Sequence, residues 1–288
     1  MPSEIIQWYP GHMAKTERMI KEMLPEIDFV IEITDARIPF SSANPKLARL
    51  TANKPRLNIL TKSDLSDPEK NDKWKSHFEK NGKTAIFLDA NSGAGVNKIK
   101  PACEKLMAEK LEKYRSKGMD GRALRAMITG VPNVGKSSLI NRMAGGKRAK
   151  VENRPGVTRE KQWITTSLGF ELLDTPGMLW PKFENQTVGE NLALTGAIRD
   201  EILDIERMAV ILCSRLASLY PEKLSERYKL NCDFSSLQPY ELFELIGRKR
   251  GFIVSGGEIN TERTAVMLLD EFRSGKIGRI SLESPDEL

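Results

Sequence analysis

Residues Gly130-Val-Pro-Asn-Val-Gly-Lys-Ser137 decide how this sequence is expected to fold. The stretch matches the phosphate-loop pattern, in which a glycine and four further residues precede Gly-Lys-Ser or Gly-Lys-Thr. An apolar run from Leu124 to Thr129 comes before it, and an amphipathic stretch begins at Ser138. The loop is therefore predicted to join a buried strand to a helix, whose first N–H groups can hold the β-phosphate of a nucleotide.

Each polar position of this loop has an expected role. Lys136 is predicted to reach the β- and γ-phosphates, and Ser137 to place its hydroxyl on Mg²⁺. Glycine is expected at 130 and 135 because side chains there would keep the loop from closing on phosphate oxygens. A chance glycine-rich turn is the alternative, which the flanking strand and helix disfavour. The predicted nucleotide contacts of the loop are Asn133, Val134, Gly135, Lys136, Ser137 and Ser138.

A second phosphate-sensing element is predicted at Asp174-Thr-Pro-Gly177, which follows another apolar run. Its carboxylate would hold Mg²⁺ through water, and the N–H of Gly177 would sense the γ-phosphate. Thr158 lies between the two motifs, where a mobile loop could bring its hydroxyl to the metal when triphosphate is bound. By itself Pro155-Gly-Val-Thr158 is only a turn. We therefore take Ser137, Thr158 and Asp174 as the predicted Mg²⁺ ligands.

The base-recognition candidate is Thr61-Lys62-Ser63-Asp64, at the end of an apolar run. The Asp64 carboxylate can accept hydrogen bonds from guanine N1–H and the 2-amino group, whereas adenine presents an acceptor at N1. Lys62 can lay its methylenes over the base. Most guanine-binding phosphate-loop proteins have asparagine where this chain has Thr61, which offers fewer groups to tie the base to the phosphate loop. A helix N-cap is the open alternative for these four residues.

The order of the motifs is reversed. Asp89-Ala90-Asn91, whose backbone N–H groups are expected to read guanine O6, also precedes the phosphate loop. In an ordinary GTPase the phosphate loop comes first. A sheet can be cut and rejoined in this way when the old chain ends lie close together, and the segment from Lys110 to Gly121 would then be the joining linker. The switch after Gly177 would lead directly into whatever follows the sheet.

Alternating strands and helices predict an α/β fold with a parallel sheet. From Thr187 to Phe272 the apolar residues recur at helical spacing instead. We therefore predict a circularly permuted P-loop GTPase domain over residues 1–183, followed by a smaller, mainly α-helical domain over residues 184–288. The predicted elements are strands at Phe29–Ile33, Leu57–Leu60, Ala85–Leu88 and Leu124–Thr129, helices at Pro68–Phe78 and Val96–Tyr114, and a hairpin of Gln162–Ser167 with Phe170–Leu173.

Charge and composition narrow the partners. The formal net charge is +6, and basic residues strongly outnumber acidic ones between Lys110 and Lys161, which suits a triphosphate and RNA. Three widely separated cysteines form no zinc pattern and no disulfide framework, so we expect a reducing compartment. No apolar run reaches the ~18 residues of a membrane span, and no terminal cysteine is available for lipidation. We expect a cytoplasmic protein without a membrane partner.

Several further motifs resemble those of the circularly permuted ribosome-assembly GTPases, and within them the ribosome biogenesis GTPase A family. The resemblance implies GTP hydrolysis, with GTP and GDP as substrate and product, Mg²⁺ as cofactor, and action in late assembly of the large (50S) ribosomal subunit. It also implies stimulation by the ribosomal particle, and contacts of the C-terminal domain with rRNA of the subunit precursor. These motifs are Trp8-Tyr-Pro-Gly-His-Met-Ala-Lys15, Asp35-Ala-Arg-Ile-Pro39, Leu179-Trp-Pro-Lys182 and Lys249-Arg-Gly251.

The catalytic group is a separate question, because Met178 occupies the position where ordinary GTPases carry a water-orienting glutamine. A thioether cannot orient a nucleophilic water. The resemblance assigns a catalytic role to His12, placed on an N-terminal loop; a solvated or packing histidine is the alternative. Asn133 can help hold K⁺ beside the phosphates, as in related potassium-stimulated GTPases, although asparagine is also common in tight turns.

The sequence motifs leave two alternative functions open. A regulatory GTPase switch, or an RNA-binding scaffold with a non-ribosomal partner, fits the same motifs. No homo-oligomer is required. A phosphate-binding face on the helical domain and a solvated surface of mixed charge are equally compatible with its charged residues. Its basic members are Arg248, Lys249, Arg250, Arg263, Arg273, Lys276 and Arg279, interleaved with Glu258, Glu262, Asp270 and Glu271.

Overall fold

The computed structural model describes residues 11–119, 121–145, 163–183, 185–231, 233–234 and 236–287. Thr158 lies outside these residues. The described strands are β1 Phe29–Asp35, β2 Arg56–Thr61, β3 Ala85–Phe87, β4 Leu124–Gly130, β5 Trp163–Thr165 and β6 Phe170–Asp174. The described α-helices are α1 Gly11–Met23, α2 Pro45–Leu50, α3 Pro68–Lys80, α4 Ile99–Leu106, α5 Ala108–Ser116, α6 Lys136–Met143, α7 Gln186–Leu194, α8 Ile205–Leu219, α9 Pro221–Tyr228, α10 Pro239–Lys249 and α11 Thr261–Arg273.

The strands form one sheet in the order β3-β2-β1-β4-β6-β5. Neighbours are parallel except for β5, which pairs antiparallel with β6 as the predicted hairpin. The predicted α/β fold with a mainly parallel sheet is thereby confirmed. Since β1 lies between β2 and β4, the loops at the carboxyl ends of these three strands meet at one edge of the sheet. The base-recognition and phosphate motifs both end strands at that edge.

Burial in the core explains why the strands are apolar runs in the sequence. Every residue of β1 is buried, because helices cover the sheet and leave neither side of this central strand to solvent. Three of these buried residues are polar, Glu32, Thr34 and Asp35, and the Glu32 carboxylate accepts a hydrogen bond from Arg56 Nη1 at 2.8 Å. Along the sheet, Phe29 of β1 meets Phe170 of β6 edge to face, with ring centroids 5.7 Å apart. The sheet is thus held together by side-chain packing as well as by its ladder.

The single helix predicted from Val96 to Tyr114 is wrong. A 3₁₀ turn occupies Val96–Lys98, and α4 and α5 are separated at Met107, whose side chain is buried. The predicted linker from Lys110 to Gly121 is also helical as far as Ser116.

A side-chain contact holds this joining segment to the sheet. Lys110 pairs with the carboxylate of Asp28, which also accepts the backbone N–H of Arg125 at 2.8 Å. One acid at the start of β1 therefore ties α5 to the beginning of β4. The segment that joins the two parts of the permuted sheet is a packed helix rather than an open connection.

The mainly helical character predicted after residue 184 is confirmed for the described residues. Helix α8 packs against α7, α9, α10 and α11, and its buried face includes Leu212 and Leu216. After α11 the chain returns to the sheet: Ile280 N donates to Leu65 O at 2.8 Å and Leu282 N to Arg37 O at 2.9 Å. Residues 277–287, here called the C-terminal tail, therefore lie against the loops that carry the base motif. Among the described helices, none is long and apolar enough to cross a membrane.

Candidate nucleotide site

The phosphate loop connects β4 to α6 as predicted, but the two glycines are required for different reasons. A Cβ on Gly130 would lie 2.6 Å from the carbonyl oxygen of Ile33, so close packing of β1 against β4 excludes a side chain there. Gly135 has a φ of 89°, in the left-handed region that glycine adopts without strain. It is the residue before α6, which places Ser137 and Ser138 in the first turn of that helix.

The Asp174–Gly177 segment lies directly against the phosphate loop. Lys136 Nζ donates to Asp174 Oδ1 at 2.6 Å, and Met178 N donates to Gly130 O at 3.1 Å. A Cβ on Gly177 would lie 2.9 Å from the Cα of Pro132, so only glycine allows this approach. The structure thus brings together Lys136, Asp174 and Gly177, three residues that the sequence predicted to share one phosphate site.

The residues at this position fit a magnesium ion. Mg²⁺ takes oxygen ligands, and in nucleotide sites it uses one or two protein oxygens together with phosphates and water. The Ser137 hydroxyl and the Asp174 carboxylate supply such oxygens. Within the described residues no group of three His, Cys, Asp or Glu side chains comes together, so the fit is to a metal shared with a nucleotide rather than to an all-protein cage. Bound there, the ion would neutralise phosphate charge.

Met178 lies in the hydrophobic core. Its side chain is fully buried, as is that of Leu179, and Trp180 stacks edge to face on Phe183 with centroids 5.0 Å apart. The Met178 carbonyl accepts a hydrogen bond from Asn44 Nδ2 at 2.7 Å. The residue that replaces the usual glutamine is therefore part of the core, and it has no side-chain atom available to a water molecule at the phosphate.

His12 is not on a loop, as the sequence suggested, but is the second residue of α1. Its side chain lies outside the described part of the structure. Helix α1 is joined to α2 through the ion pair of Glu17 with Lys46 at 2.6 Å. Asn44, the N-cap of α2, holds the Met178 carbonyl. Two contacts thus link the helix that begins beside His12 to the residue after Gly177.

The base loop is tied to the phosphate loop by Thr61. Its hydroxyl lies 3.1 Å from Thr34 O and is also hydrogen-bonded to Val134 O, between β1 and the phosphate loop. Lys62, at a φ of 58°, turns its ammonium to Asp35 Oδ2 at 2.9 Å. Asp64 is exposed and has no side-chain hydrogen bond within the described residues. The carboxylate that is predicted to read guanine is therefore open to a ligand.

The second base loop is shaped by its own aspartate. The Asp89 carboxylate accepts the N–H groups of Asn91 at 2.8 Å and Ser92 at 3.0 Å. Burial opposes ionisation of Asp89, but these hydrogen bonds outweigh it and lower its pKa. Arg142 of α6 donates to the Asn91 carbonyl. The sequence predicted that the backbone N–H groups of Asp89, Ala90 and Asn91 read guanine O6. Since the Asn91 N–H is already hydrogen-bonded, we take the Ala90 N–H as the group available for this contact.

The comparisons with known proteins agree with this site. A family model described as "50S ribosome-binding GTPase" matches residues 125–227, beginning in β4 and leaving the two base loops on its N-terminal side. Ribosome biogenesis GTPase A of Bacillus cereus is 47% identical over 98% of this chain and 95% of its own length. The protein of the same name from Thermotoga maritima is 31% identical over 98% and 96%. The chain belongs to the ribosome biogenesis GTPase A family.

A solved structure supports the same assignment. GNP-bound YlqF from T. maritima superimposes with a TM-score of 0.64 at 29% identity, covering 94% of this chain and 99% of the other. As a member of the ribosome biogenesis GTPase A family, this chain is a GTP-binding GTPase of ribosome biogenesis. That statement confirms the GTPase activity and the guanine nucleotide that the sequence predicted.

A buried ion network beside the base loop was missed by the sequence analysis. Asp35 forms a bidentate pair with Arg37, at 3.0 Å to Nε and 2.8 Å to Nη2, and both side chains are almost fully buried. Burial raises the pKa of Asp35, but Arg37 and Lys62 outweigh it and hold it below its ordinary value. In this family member, Asp35-Ala-Arg37 thus anchors Lys62. The sequence signal for this network was an acid at the end of an apolar strand, with an arginine two residues later.

Several basic residues of the helical region make contacts within the protein. Arg273 pairs with Asp200 at 2.7 Å, and Arg250 with Glu271 at 3.1 Å. Arg263 stacks on the ring of Phe252, 4.2 Å from its centroid. These guanidinium groups stabilise contacts between elements, which favours the surface of mixed charge over the phosphate-binding face, the two alternatives that the sequence left open. Of the seven basic residues named for this region, five are exposed and have no side-chain ion pair among the described residues, namely Arg248, Lys249, Arg263, Lys276 and Arg279.

The phosphate loop also touches the helical region. Asn133, at a φ of 58°, donates from Nδ2 to the carbonyl oxygen of Gly196 at 2.7 Å, in the turn that follows α7. The sequence predicted the turn conformation and a possible cation ligand at Asn133, but not this partner. Since an asparagine amide has a separate oxygen, the contact fixes Nδ2 and leaves Oδ1 available.

Proposed function

We propose that this protein hydrolyses GTP during late assembly of the large (50S) ribosomal subunit and that the subunit precursor stimulates hydrolysis. The observation that carries the proposal is the contact of Asp174–Gly177 with the phosphate loop, immediately before the chain enters α7. Loss of a γ-phosphate at Lys136 and Gly177 changes the segment that leads into the helical region. The nucleotide state is thereby coupled to a surface that can meet the particle.

The guanine nucleotide lies across the edge where β2, β1 and β4 end. Asp64 accepts from guanine N1–H and the 2-amino group, and the Ala90 N–H donates to O6. Lys62, held by Asp35, lays its methylenes along the base. Thr61 joins this end of the site to the phosphate loop. The loop residues Asn133 to Ser138 would take the phosphates, and the oxygens of Ser137, Thr158 and Asp174 would hold Mg²⁺, which would neutralise phosphate charge.

Catalysis requires a group other than Met178, and we assign it to His12. An imidazole can accept a proton from, or orient, the attacking water, which a buried thioether cannot do. We further assign a potassium site to Asn133 Oδ1, because its amide nitrogen is already held by Gly196. A cation there stabilises the negative charge that develops during phosphoryl transfer.

The particle contact is assigned to rRNA. Basic residues are concentrated between Lys110 and Lys161, next to the phosphate loop, and Arg248, Lys249 and Lys276 add exposed charge on the helical region. Such contacts neutralise phosphates and weaken as salt rises. The proposal places the protein with its ribosomal substrate in the cytoplasm, as a chain that needs no second copy for activity.

The deciding experiment measures GTP turnover by the full chain alone, with purified large subunits and with purified small subunits, at several salt concentrations. Large subunits are expected to raise the rate and to co-sediment with the protein in the GTP-bound state, with both effects weakening as salt rises. Small subunits serve as the matched particle control. Equal rates under all three conditions, together with no co-sedimentation, would refute a role on the large subunit.

A further inference from the structure

The C-terminal tail holds the loop that carries Asp64. Arg279 donates from Nη2 to the carbonyl oxygen of Ser63 at 2.9 Å and from Nε to that of Ser66 at 2.8 Å. Between them, Ile280 N donates to Leu65 O at 2.8 Å. Three carbonyl groups around Asp64 thus accept hydrogen bonds from two consecutive residues that are more than 200 positions away in the chain.

The surrounding packing fixes the tail in this position. A Cβ on Gly275 would lie 2.7 Å from Cδ2 of Leu65, so the turn after α11 fits closely over the same loop. Asp67 N donates to Ser281 Oγ at 3.0 Å, and Tyr220 OH donates to Asp67 Oδ2 at 2.9 Å. The tail is therefore held between the base loop and the helical region, rather than lying loosely on the surface.

The Asp64 side chain itself has no such support. It is exposed and forms no side-chain hydrogen bond within the described residues, so its position depends on the backbone of residues 63–66. A carboxylate that accepts two hydrogen bonds from a base must be held at a fixed place, because a small displacement breaks one of the two bonds. Local bonds such as Ser63 N to Leu88 O at 3.2 Å hold part of this backbone, and the tail holds the carbonyl groups of Ser63, Leu65 and Ser66.

We propose that Arg279 is a positioning residue for guanine recognition, which acts by holding the Ser63 and Ser66 carbonyl groups and thereby the Asp64 carboxylate. This inference rests on the proposed role of Asp64. The end of the helical region then belongs to the base site. The helical region thus contacts the base loop through Arg279 and the phosphate loop through Gly196. Thermodynamic linkage requires that, if the tail favours nucleotide binding, bound nucleotide also stabilises the tail in its position.

The first test uses Asp64→Asn in the full chain with Mg²⁺, comparing the Kd values of GDP and XDP. The xanthine base carries a carbonyl at C2, to which an asparagine amide can donate. The variant is expected to lose affinity for GDP at least tenfold and to gain affinity for XDP. If its preference for GDP is unchanged, Asp64 does not read the base, and both the base site and the present inference are overturned.

The second test measures the ratio of the Kd values of IDP and GDP. Hypoxanthine, the base of IDP, lacks the 2-amino group that donates to Asp64 in guanine. The ratio therefore reports how well the Asp64 carboxylate is placed. Arg279→Ala is expected to lower the ratio at least threefold, whereas Arg263→Ala, which removes a guanidinium stacked on Phe252, leaves it unchanged. With Asp64→Asn behaving as expected, an unchanged ratio in Arg279→Ala, or an equal loss of affinity for both nucleotides, overturns the positioning role.

Hydrogen exchange of the unmodified protein keeps the test independent of whether Arg279→Ala folds. The Ile280 N–H, bonded to Leu65 O, is expected to exchange at least threefold more slowly with GDP than without it. Peptides from the buried face of α8 provide the internal reference. Exchange at Ile280 that does not respond to GDP while nucleotide binding is saturated would contradict the coupling between tail and base.

Discussion

The Thr61 hydroxyl donates a hydrogen bond to the carbonyl oxygen of Val134 and so joins the base loop to the phosphate loop. Asparagine usually makes this connection in guanine-binding P-loop proteins, and its amide has more groups to do so. Here one hydroxyl suffices because Val134 and Thr61 approach closely: a Cβ on Gly135 would lie 3.7 Å from the Thr61 Cβ. Thr61 thus connects the first base loop to the phosphate loop, and Arg142 connects the second base loop to α6, the helix that follows the phosphate loop.

Thr61→Val should weaken that connection while keeping the shape of the side chain. The variant leaves the Thr34 and Val134 carbonyl groups without their hydroxyl partner, which costs about 1–3 kcal/mol of unfolding free energy. We also expect a higher Kd for GDP, measured by fluorescence titration. Thr61→Ser retains the hydroxyl and serves as the control. Loss of affinity in both variants alike would mean that the hydroxyl is not the connecting group.

Lys136→Ala should weaken nucleotide binding about 10- to 100-fold, the range expected for loss of a charged hydrogen bond to phosphate. The ammonium that now contacts Asp174 is the group predicted to reach the β- and γ-phosphates. Titration with GTP and GDP measures the effect, and Lys105→Ala on α4 is the matched control. A normal affinity for both nucleotides would argue against the phosphate-loop assignment.

His12→Ala should retain nucleotide affinity and lose hydrolysis stimulated by the large subunit. A positioned general base or water-orienting group contributes roughly 10²- to 10⁴-fold to a rate, whereas it adds little to binding of the ground state. Single-turnover GTP hydrolysis with saturating subunits measures the step. His77→Ala, on α3, is the control histidine. Stimulated turnover that survives in His12→Ala would remove His12 from the mechanism.

Potassium should accelerate hydrolysis by roughly tenfold or more relative to sodium at equal ionic strength, because a cation beside the phosphates stabilises the developing charge. Asn133→Ala should abolish the difference, since it removes the proposed Oδ1 ligand along with the contact to Gly196. Rates in KCl, NaCl and mixtures of constant ionic strength provide the measurement. Equal rates in the two salts for the unmodified protein would exclude potassium.

Asp35→Asn should destabilise the protein at neutral pH by about 3–5 kcal/mol, because it leaves Arg37 buried without its counter-charge. Folding lowers the pKa of Asp35 below its ordinary value of 3.8. Its ionised form therefore stabilises the native state above pH ~4, and that contribution is lost as the pH falls through the lowered pKa.

Urea unfolding of both proteins from pH 7 to pH 3 measures this dependence. The difference in unfolding free energy should stay constant down to about pH 4 and narrow below it. Glu22→Gln removes an exposed pair with Arg18 and should leave the curve close to that of the unmodified protein. A difference that narrows between pH 7 and pH 5 would assign the effect to another group.

The amino-acid sequence was sufficient for features that depend on neighbouring residues. The apolar runs Phe29–Ile33, Leu57–Leu60 and Leu124–Thr129 predicted β1, β2 and β4 within two residues at each end, because buried strands of parallel sheets need continuous apolar side chains. The spacing of glycine and polar residues within short motifs predicted the phosphate loop and the Asp174–Gly177 segment. The order of these motifs gave the permutation. The division at residue 183, the metal ligands and the catalytic histidine stay predictions.

Only the tertiary structure showed how the far ends of the chain support the site. The buried carboxylate of Glu283 accepts the N–H groups of Phe40 at 2.8 Å and Ser41 at 3.0 Å, and Arg279 holds the base loop. Contacts between residues more than 200 positions apart leave no periodic trace in a sequence, because each depends on the fold as a whole to bring its two partners together. The sequence therefore predicted which groups meet the phosphates, and the fold decided what holds the base loop in place.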